Sequence, residues 1–374
     1  MPTPSRPGPR ELGLCLGTLP PGPHNDITDV AGVRVGHTSV IEGHDVRTGV
    51  TVVLPHGGNP FREKVIAAVH TINGFGKPFG FEQVRELGTL ESPIALTGTL
   101  SVSRVADALL TWMLARDGEI AREAPTVNLL VGECSDAFLN DARGRHVHEG
   151  HVLAALEAAG EGPVAQGSVG AGVGMTAFGY KGGVGSASRR LSAACGPYTL
   201  GALLVSNYGR PEQLTIAGVP VGRLLPNQTP SEQERGSVMV ILATDAPLTA
   251  RQLGRLGRRA VHGLARTGST SGHGSGDFVI AFSTAQRIPQ DGETMELSLR
   301  CLQDGGPAME ALFQAVVEAV EEAVISSLFR AETITGRDGH TREALPVAQV
   351  LDVLRRSGRL FPNSALVDSV LPGA

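Results

Sequence analysis

The sequence predicts a layered α/β or α+β fold, because short buried-type strands alternate along the chain with amphipathic helices. Apolar residues make up 41% of the 374 residues, which is enough to form a large core. Five short apolar runs end at glycine or polar residues, as buried strands do: Val50–Leu54, Val127–Val131, Ala202–Ser206, Val238–Ala243 and Phe278–Phe282. Four other segments carry apolar residues at helical spacing: Ser101–Leu114, His148–Ala159, Thr249–Leu264 and Ala308–Phe329.

Two of these helical patterns make specific predictions. Thr249 and Gln252 have the spacing of a capping box at the start of the third helix. In the fourth helix, Glu318, Glu321 and Glu322 fall between the apolar positions. Acidic residues so placed predict a solvated helix face.

Composition excludes several classes of protein. Only 18% of the residues are charged and the net charge is −5, with no basic patch of the kind that nucleic-acid-binding proteins show. No apolar run approaches the roughly 20 residues that span a bilayer, so we expect no membrane association. The first 23 residues lack the uninterrupted apolar stretch of a signal peptide, and we therefore expect a cytoplasmic protein.

The cysteines and histidines do not predict a metal site. The four cysteines show no C-x-x-C spacing and are expected to be buried reduced thiols: Cys15, Cys134, Cys195 and Cys301. His146, His148 and His151 lack the H-E-x-x-H pattern and are typical of a solvated helix start. We expect neither metal nor cofactor.

A glycine-rich stretch, Gly167–Gly174 (GSVGAGVG), does not match either nucleotide-binding pattern, G-x-G-x-x-G or the P-loop. Such a run of glycines instead predicts a tight turn where one backbone segment approaches another closely.

The polar segment Leu225–Gly236 predicts an exposed loop. Its last residue, Gly236, is followed by Ser237, and the apolar strand begins immediately after this serine. This junction is either an ordinary entry into a strand or a processing site. A serine at a new N-terminus would carry its own base, since a free α-amine has a pKa near 7.7–8.0 and can act on the hydroxyl of the same residue.

Further reactive side chains lie near the ends of predicted strands, where sites form in layered α/β folds. Ser275 and Asp277 precede the strand FVIAF, Glu133 ends the segment VNLLVGE, and Asn207 ends ALLVSN. Hydroxyls, carboxylates and an amide are the groups that a serine nucleophile needs around it. His273 is the nearest histidine in the sequence, but its spacing to Ser237 does not predict a catalytic triad.

Ordered motifs over nearly the whole chain resemble those of the DmpA-type aminopeptidases, which include β-peptidyl aminopeptidases and L-aminopeptidase/D-amino-acid esterase-amidases. The motifs are ITDVAGVRVGHTSV (27–40), TGVTVVLPHGGNPF (48–61), NGFGKPFG (73–80), SPIALTGTLSV (92–102), VGECSDAFLND (131–141), LLVSNYG (203–209), GSVMVILATDAPL (236–248) and GSGDFVIAFST (274–284).

The resemblance implies a four-layer αββα sandwich, similar to N-terminal-nucleophile hydrolases but with different connectivity. It implies a single-domain precursor, residues 1–374, which cuts itself between Gly236 and Ser237 into an α chain, 1–236, and a β chain, 237–374. Processed units of the family usually form homotetramers.

The resemblance also assigns roles to the candidate residues. Ser237 matches the nucleophile, and Ser275 and Asp277 match the polar pair beside it. Asn207 matches the oxyanion-hole amide, and Glu133 matches the carboxylate that binds the free amine of the substrate. Some relatives carry glutamate at the position of Asp277, so the carboxylate here is one methylene shorter.

The leading hypothesis is an autoprocessed N-terminal-serine aminopeptidase that releases the first residue from small peptides, amides or esters of L-, D- or β-amino acids. One alternative is an endo-amidase like the nylon-oligomer hydrolases, which share the DVAGVRVGH-type start but favour a threonine nucleophile. Another is an unprocessed, catalytically silent binding or scaffold protein. The presence of Ser237 and Glu133 favours the aminopeptidase.

Overall fold

The fold was analysed in a computed structural model, which describes residues 6–225, 235–292 and 295–360. The strands are β1 (Arg34–Glu42), β2 (Val46–Leu54), β3 (Glu63–Gly74), β4 (Thr89–Leu90), β5 (Ile94–Gly98), β6 (Leu130–Cys134), β7 (Thr176–Ala177), β8 (Tyr180–Lys181), β9 (Gly183–Arg190), β10 (Thr199–Asn207), β11 (Arg235–Thr244), β12 (Gly274–Pro289), β13 (Ile334–Thr335) and β14 (Thr341–Arg342). The α-helices are α1 (Phe81–Leu87), α2 (Val102–Arg116), α3 (Glu149–Glu157), α4 (Val221–Leu224), α5 (Ala250–Gly257), α6 (Ala260–Arg266), α7 (Pro307–Phe329) and α8 (Val347–Arg356).

Two mixed sheets form the centre of the molecule. The first sheet has the strand order β1-β2-β5-β6, and its only parallel pair is β5 with β6. The second has the order β4-β3-β12-β11-β10-β9, and its only parallel pair is β11 with β12. In the second sheet, β11 and β12 therefore begin at the same edge, and the antiparallel strand β10 ends there.

Three apolar cores separate four layers. One lies between the two sheets and includes Leu96, Leu130, Leu203 and Met239. A second packs α2 and α3 on the first sheet, and a third packs α5, α6 and α7 on the second sheet. This arrangement confirms the predicted αββα sandwich.

Most predicted elements are present, with two differences. The predicted strand Val127–Val131 is displaced, since β6 begins at Leu130 and runs through Glu133 to Cys134. The helix predicted over Thr249–Leu264 is divided into α5 and α6 at Arg258–Arg259. Its capping box is confirmed: Gln252 N–H donates to Thr249 Oγ1 at 3.3 Å, and Thr249 N–H donates to Gln252 Oε1 at 3.0 Å.

The prediction that Glu318, Glu321 and Glu322 form a solvated face of α7 is wrong, because all three are buried. Arg189, on β9, donates to Glu318 Oε2 at 3.1 Å and to Glu322 Oε2 at 2.6 Å, and it is itself fully buried. Arg10 also pairs with Glu322 at 2.6 Å. We call Arg10, Arg189, Glu318 and Glu322 the arginine cluster.

The prediction of four buried thiols is also wrong in part. Cys134 is buried and Cys195 is partly buried, but Cys15 and Cys301 are exposed. All four are free thiols in the structure. Among the described helices, none has both the length and the apolar character needed to cross a membrane.

The glycine-rich stretch forms the predicted close turn. Gly167 and Gly170 have positive φ angles of 83° and 50°. A Cβ atom on Gly172 would lie only 2.5 Å from the backbone nitrogen of Val184, so a larger residue would push β9 away. Glycine here serves the contact between two backbone segments, as the sequence predicts.

Candidate active site

The candidate nucleophile Ser237 lies near the start of β11, at an edge where four chain segments meet. Because β10 runs antiparallel to β11, its last residue, Asn207, pairs directly with Ser237. Because β12 runs parallel to β11, Ser275 and Asp277 lie beside Gly236 and Val238. The end of β6, on the other sheet, faces the same edge.

Ser237 is 4% exposed, and two N–H groups donate to its Oγ atom. These are the backbone N–H of Ser135, just after β6, and the Nδ2 of Asn207, each at 3.3 Å. Successive strand residues alternate between faces, and Met239 belongs to the core between the sheets. Ser237 Oγ is therefore on the inter-sheet face, where both donors converge on it.

The amide orientation of Asn207 is determined by its neighbours. Its Oδ1 accepts the backbone N–H of Thr176 at 2.9 Å. Because a backbone N–H is only a donor, the oxygen must face Thr176, and the NH₂ group must face Ser237. Asn207 therefore presents a donor to the nucleophile.

Ser275 and Asp277 form a pair on β12, where Ser275 Oγ donates to Asp277 Oδ1 at 2.6 Å, and both side chains are buried. Their strand partners Gly236 and Val238 flank Ser237, and Val238 belongs to the core under α7. Alternation thus places this pair on the sheet face opposite to Ser237 Oγ. The structure brings the pair next to the Ser237 backbone but does not make either side chain a partner of its hydroxyl.

Glu133 is 4% exposed and has both carboxylate oxygens hydrogen-bonded. Oε1 accepts the backbone N–H of Lys77 at 2.9 Å, and Oε2 accepts the hydroxyl of Thr99. Within the described residues, no side-chain cation lies within ion-pair distance of this carboxylate. Glu133 is thus a buried, oriented carboxylate at an edge where a cationic ligand can neutralise it.

The loop that follows β3 forms one wall of the site. A Cβ atom on Gly276 would lie 2.7 Å from the carbonyl oxygen of Phe75, so only glycine at this point of β12 lets the loop pass. A Cβ atom on the next loop residue, Gly76, would lie 2.5 Å from the ring of Phe278 and 3.2 Å from Glu133 Oε1. A cleft of about 620 Å³, lined by Gly76, Phe79, Phe278 and others, opens beside this wall.

Asp136, the residue after Ser135, is a second carboxylate near this edge. It is 2% exposed and accepts the hydroxyl of Thr48 at 2.6 Å. Burial raises its pKa to about 6, against the hydrogen bonds from Thr48 and Asn140. Burial also raises the pKa of the Cys134 thiol, which keeps this group neutral beside the nucleophile.

The remaining candidates have mixed outcomes. Most of the predicted loop Leu225–Gly236 lies outside the described residues, but Gly236 lies in β11, where a Cβ atom would be 2.8 Å from that of Tyr208. His273 contacts the ring of Phe75 and is not a partner of Ser237. In the described ranges, no group of three or more His, Cys, Asp or Glu side chains could hold a metal ion.

The residue patterns did not single out the partners of the candidate residues. Ser135 supplies a backbone N–H, Thr99 and Lys77 hold Glu133, and Thr176 orients Asn207. Each comes from a loop or from a residue distant in sequence, so no spacing rule identifies it. Thr99 and Lys77 do lie within the motifs SPIALTGTLSV and NGFGKPFG.

Comparisons with known proteins identify the family of the chain. Residues 25–342 match the model of peptidase family S58. A β-peptidyl aminopeptidase, BapA, from Sphingosinicella xenopeptidilytica is 40% identical over 370 residues, which covers 92% of this chain and 90% of the relative.

Two solved structures are similar over almost their full length. A β-aminopeptidase from Burkholderia sp. has a TM-score of 0.89 and 40% identity, covering 94% of this chain and 99% of its own. An L-aminopeptidase D-Ala-esterase/amidase from Ochrobactrum anthropi, described as a variant of the Ntn hydrolase fold, has a TM-score of 0.89 and 37% identity, covering 95% of this chain and 100% of its own. The family indicated by the sequence motifs is confirmed, and the chain belongs to the serine aminopeptidases of peptidase family S58.

Proposed function

We propose that the chain cuts itself between Gly236 and Ser237 and then removes the N-terminal residue from small peptides, amides or esters. The observation that carries this proposal is the convergence of two N–H donors on Ser237 Oγ, beside a buried carboxylate that has no cationic partner among the described residues. The first feature suits acyl transfer to a serine, and the second suits a substrate with a free ammonium group.

In this proposal, Ser237 Oγ attacks a carbonyl carbon and the oxygen of that carbonyl becomes an oxyanion. The Ser135 N–H and the Asn207 Nδ2 are the donors for this negative charge. Donors that are already fixed before the reaction stabilise an oxyanion without reorganisation. In self-cleavage the carbonyl belongs to Gly236: Oγ forms an ester with it, the Gly236–Ser237 C–N bond breaks to free the α-amine, and water then hydrolyses the ester. In catalysis the same two donors serve the carbonyl of the substrate.

After cleavage, the α-amine of Ser237 is the base for its own hydroxyl. The backbone nitrogen lies in the plane of the sheet, between the face that carries Oγ and the face that carries Ser275 and Asp277. A free amine at this point can take the proton from Oγ on one side and donate a hydrogen bond to Ser275 Oγ on the other. The Ser275–Asp277 pair thus orients the amine, and the protonated amine returns its proton to the leaving group.

Glu133 binds the ammonium group of the substrate. Its two oxygens keep the hydrogen bonds from Lys77 and Thr99 while the substrate supplies the missing positive charge. This contact fixes the first residue of the substrate with its carbonyl near Ser237. Water then hydrolyses the acyl-enzyme and releases that residue.

The substrate class follows from the relatives, whose names include β-peptidyl aminopeptidase and L-aminopeptidase D-Ala-esterase/amidase. We propose substrates with a free amino group on an L-, D- or β-amino acid. The division into residues 1–236 and 237–374, the homotetramer of processed units and the cytoplasmic location stay predictions.

The test of self-cleavage is intact-mass spectrometry of the purified chain. Wild type is expected as two fragments that end at Gly236 and begin at Ser237, without added protease. Ser237→Ala is expected as one uncut chain without peptidase activity. Ser357→Ala is the control, because this exposed serine lies at the end of α8, outside the candidate site, and should cut normally. Cutting of Ser237→Ala at the same bond would refute the serine as the agent.

A further inference from the structure

The buried lysine Lys181 has no part in the proposed mechanism. It lies in β8, is 0% exposed, and its ammonium donates to the carbonyl oxygens of Gly172 at 2.8 Å and Gly182 at 2.7 Å. In the described part of the chain, no carboxylate lies within ion-pair distance of it. Burial lowers its pKa to about 7, which shows that keeping an ammonium here is costly.

Lys181 holds both ends of one turn. Its backbone pairs with Thr176 in the hairpin formed by β7 and β8. Its side chain reaches back to the carbonyl of Gly172, within the glycine-rich stretch. The segment from Gly172 to Thr176 is therefore closed by a single residue, through a backbone contact at one end and an ammonium at the other.

This turn contacts the supports of both proposed oxyanion donors. At its end, Thr176 N–H holds Asn207 Oδ1 at 2.9 Å. In its middle, Gly174 packs so closely on Asp136 that a Cβ atom would lie 2.6 Å from the Asp136 Cβ. Asp136 directly follows Ser135, the residue that gives the second N–H.

We propose that Lys181 is a positioning residue for the oxyanion site: its ammonium fixes the turn 172–176, and this turn sets the places of Asn207 Nδ2 and the Ser135 N–H. The inference rests on the proposed roles of these two donors. A donor stabilises the oxyanion only when it already lies at hydrogen-bonding distance from the place where the charge develops. A loose turn would weaken the reaction but leave the two hydrogen bonds that hold the Glu133 carboxylate, since these come from Lys77 and Thr99, outside the turn.

The first measurement is steady-state kinetics of Lys181→Met with one aminoacyl anilide. Because removal of one oxyanion donor typically costs about 10²–10³-fold in kcat, misplacing the donors should lower kcat by about 10- to 100-fold. KM is expected to stay within about twofold, because Glu133 is intact. Self-cleavage should slow in the same proportion. Lys64→Met is the matched control, since Lys64 pairs with Glu91 at 2.6 Å and has no contact with the turn.

The second measurement is a double-mutant cycle with Asn207→Ala. If Lys181 acts through Asn207, Lys181→Met should lower kcat much less in the Asn207→Ala background than in wild type. Lys181→Gln keeps N–H donors without the charge, and it provides the same cycle if Lys181→Met does not fold. An unchanged kcat in the folded Lys181 variants, or full multiplication of the two losses, would overturn the positioning role. An unchanged kcat in Asn207→Ala would overturn the oxyanion assignment together with it.

Discussion

The molecule contains two buried groups of charged side chains that are built in opposite ways. In the arginine cluster, Glu318 and Glu322 each lie within 3.1 Å of the guanidinium of Arg189, and Arg10 adds a second cation. At the candidate site, Glu133 and Asp136 are buried to a similar degree but accept hydrogen bonds from neutral donors. Within the described residues, neither has a cationic partner.

The electrostatic consequences differ accordingly. Burial would raise the pKa of the Glu318 carboxyl, but hydrogen bonds from Gln314, Thr18, Leu19 and Arg189 hold it below its ordinary value. Burial does raise the pKa of Asp136, to about 6. The arginine cluster therefore has its cations within the protein, whereas the two site carboxylates have none among the described residues, as the proposed binding of a substrate ammonium requires.

The largest expected effect is the loss of stability on removing the cation of the arginine cluster. Arg189→Met leaves two buried carboxylates without their shared partner, and breaking such a pair costs about 3–5 kcal/mol. The free energy of unfolding, from urea titration, should fall by that amount.

Glu133→Gln is the matched variant, since it replaces a buried carboxylate that has no cationic partner in the part of the chain that the structure describes. It should leave the free energy of unfolding unchanged or raise it. Equal losses in the two variants would contradict the distinction between the two groups.

A smaller effect is expected on the pH dependence of stability. A carboxyl whose pKa rises from 3.8 to about 6 on folding stabilises the folded state below its unfolded pKa, and this contribution is lost as the pH rises through 6. Relative to wild type, Asp136→Asn should therefore gain stability between pH 4 and pH 8, by at most about 3 kcal/mol.

Asp117 provides the control of opposite sign. The hydrogen bond from Arg62 lowers the pKa of Asp117, so its contribution is present at neutral pH and lost as the pH falls. Asp117→Asn should lose stability relative to wild type as the pH rises. If the stability of both variants changed with pH in the same direction, the presence of a cationic partner would not explain the difference between Asp136 and Asp117.

The two groups also differ in how far the sequence predicts them. The site residues flank strands with continuous apolar runs, so Asn207 and Ser237 can be placed at strand ends, and the resemblance to the family implies their roles. The arginine cluster could not be predicted, because Arg189 lies in β9, whose sequence GVGSASRR contains only two apolar residues, Val184 and Ala187, and has no apolar pattern.

A close steric contact explains why the apolar pattern of the sequence does not predict β9. Gly185 lets this strand approach α7 so closely that a Cβ atom would lie 1.9 Å from the carbonyl oxygen of Ala323. Periodicity detects apolar faces and not close contacts between small residues. Because no apolar pattern predicts β9, the sequence indicates no cation beside the glutamates of α7 and predicts a solvated face for them. No pattern predicts the roles of Thr99 or of Thr176, the first residue of β7, since their contacts depend on tertiary structure.

The smallest expected effect concerns the recognition of the substrate ammonium by Glu133. If Glu133 binds a substrate ammonium, the charge-assisted hydrogen bond contributes about 1.5–3 kcal/mol. Acetylation of the substrate amine removes that charge, so kcat/KM should fall by at least about 10-fold in wild type. The ratio of kcat/KM for free and acetylated substrate should approach one in Glu133→Gln, because the glutamine amide has no charge to pair with the ammonium.

Thr99→Val removes one hydrogen bond to Glu133 but leaves the carboxylate, and it should keep most of the discrimination. Equal discrimination by wild type and Glu133→Gln would show that the amine is bound elsewhere. It would also leave the missing cation of Glu133 without a functional explanation, and the contrast with the arginine cluster would then concern stability alone.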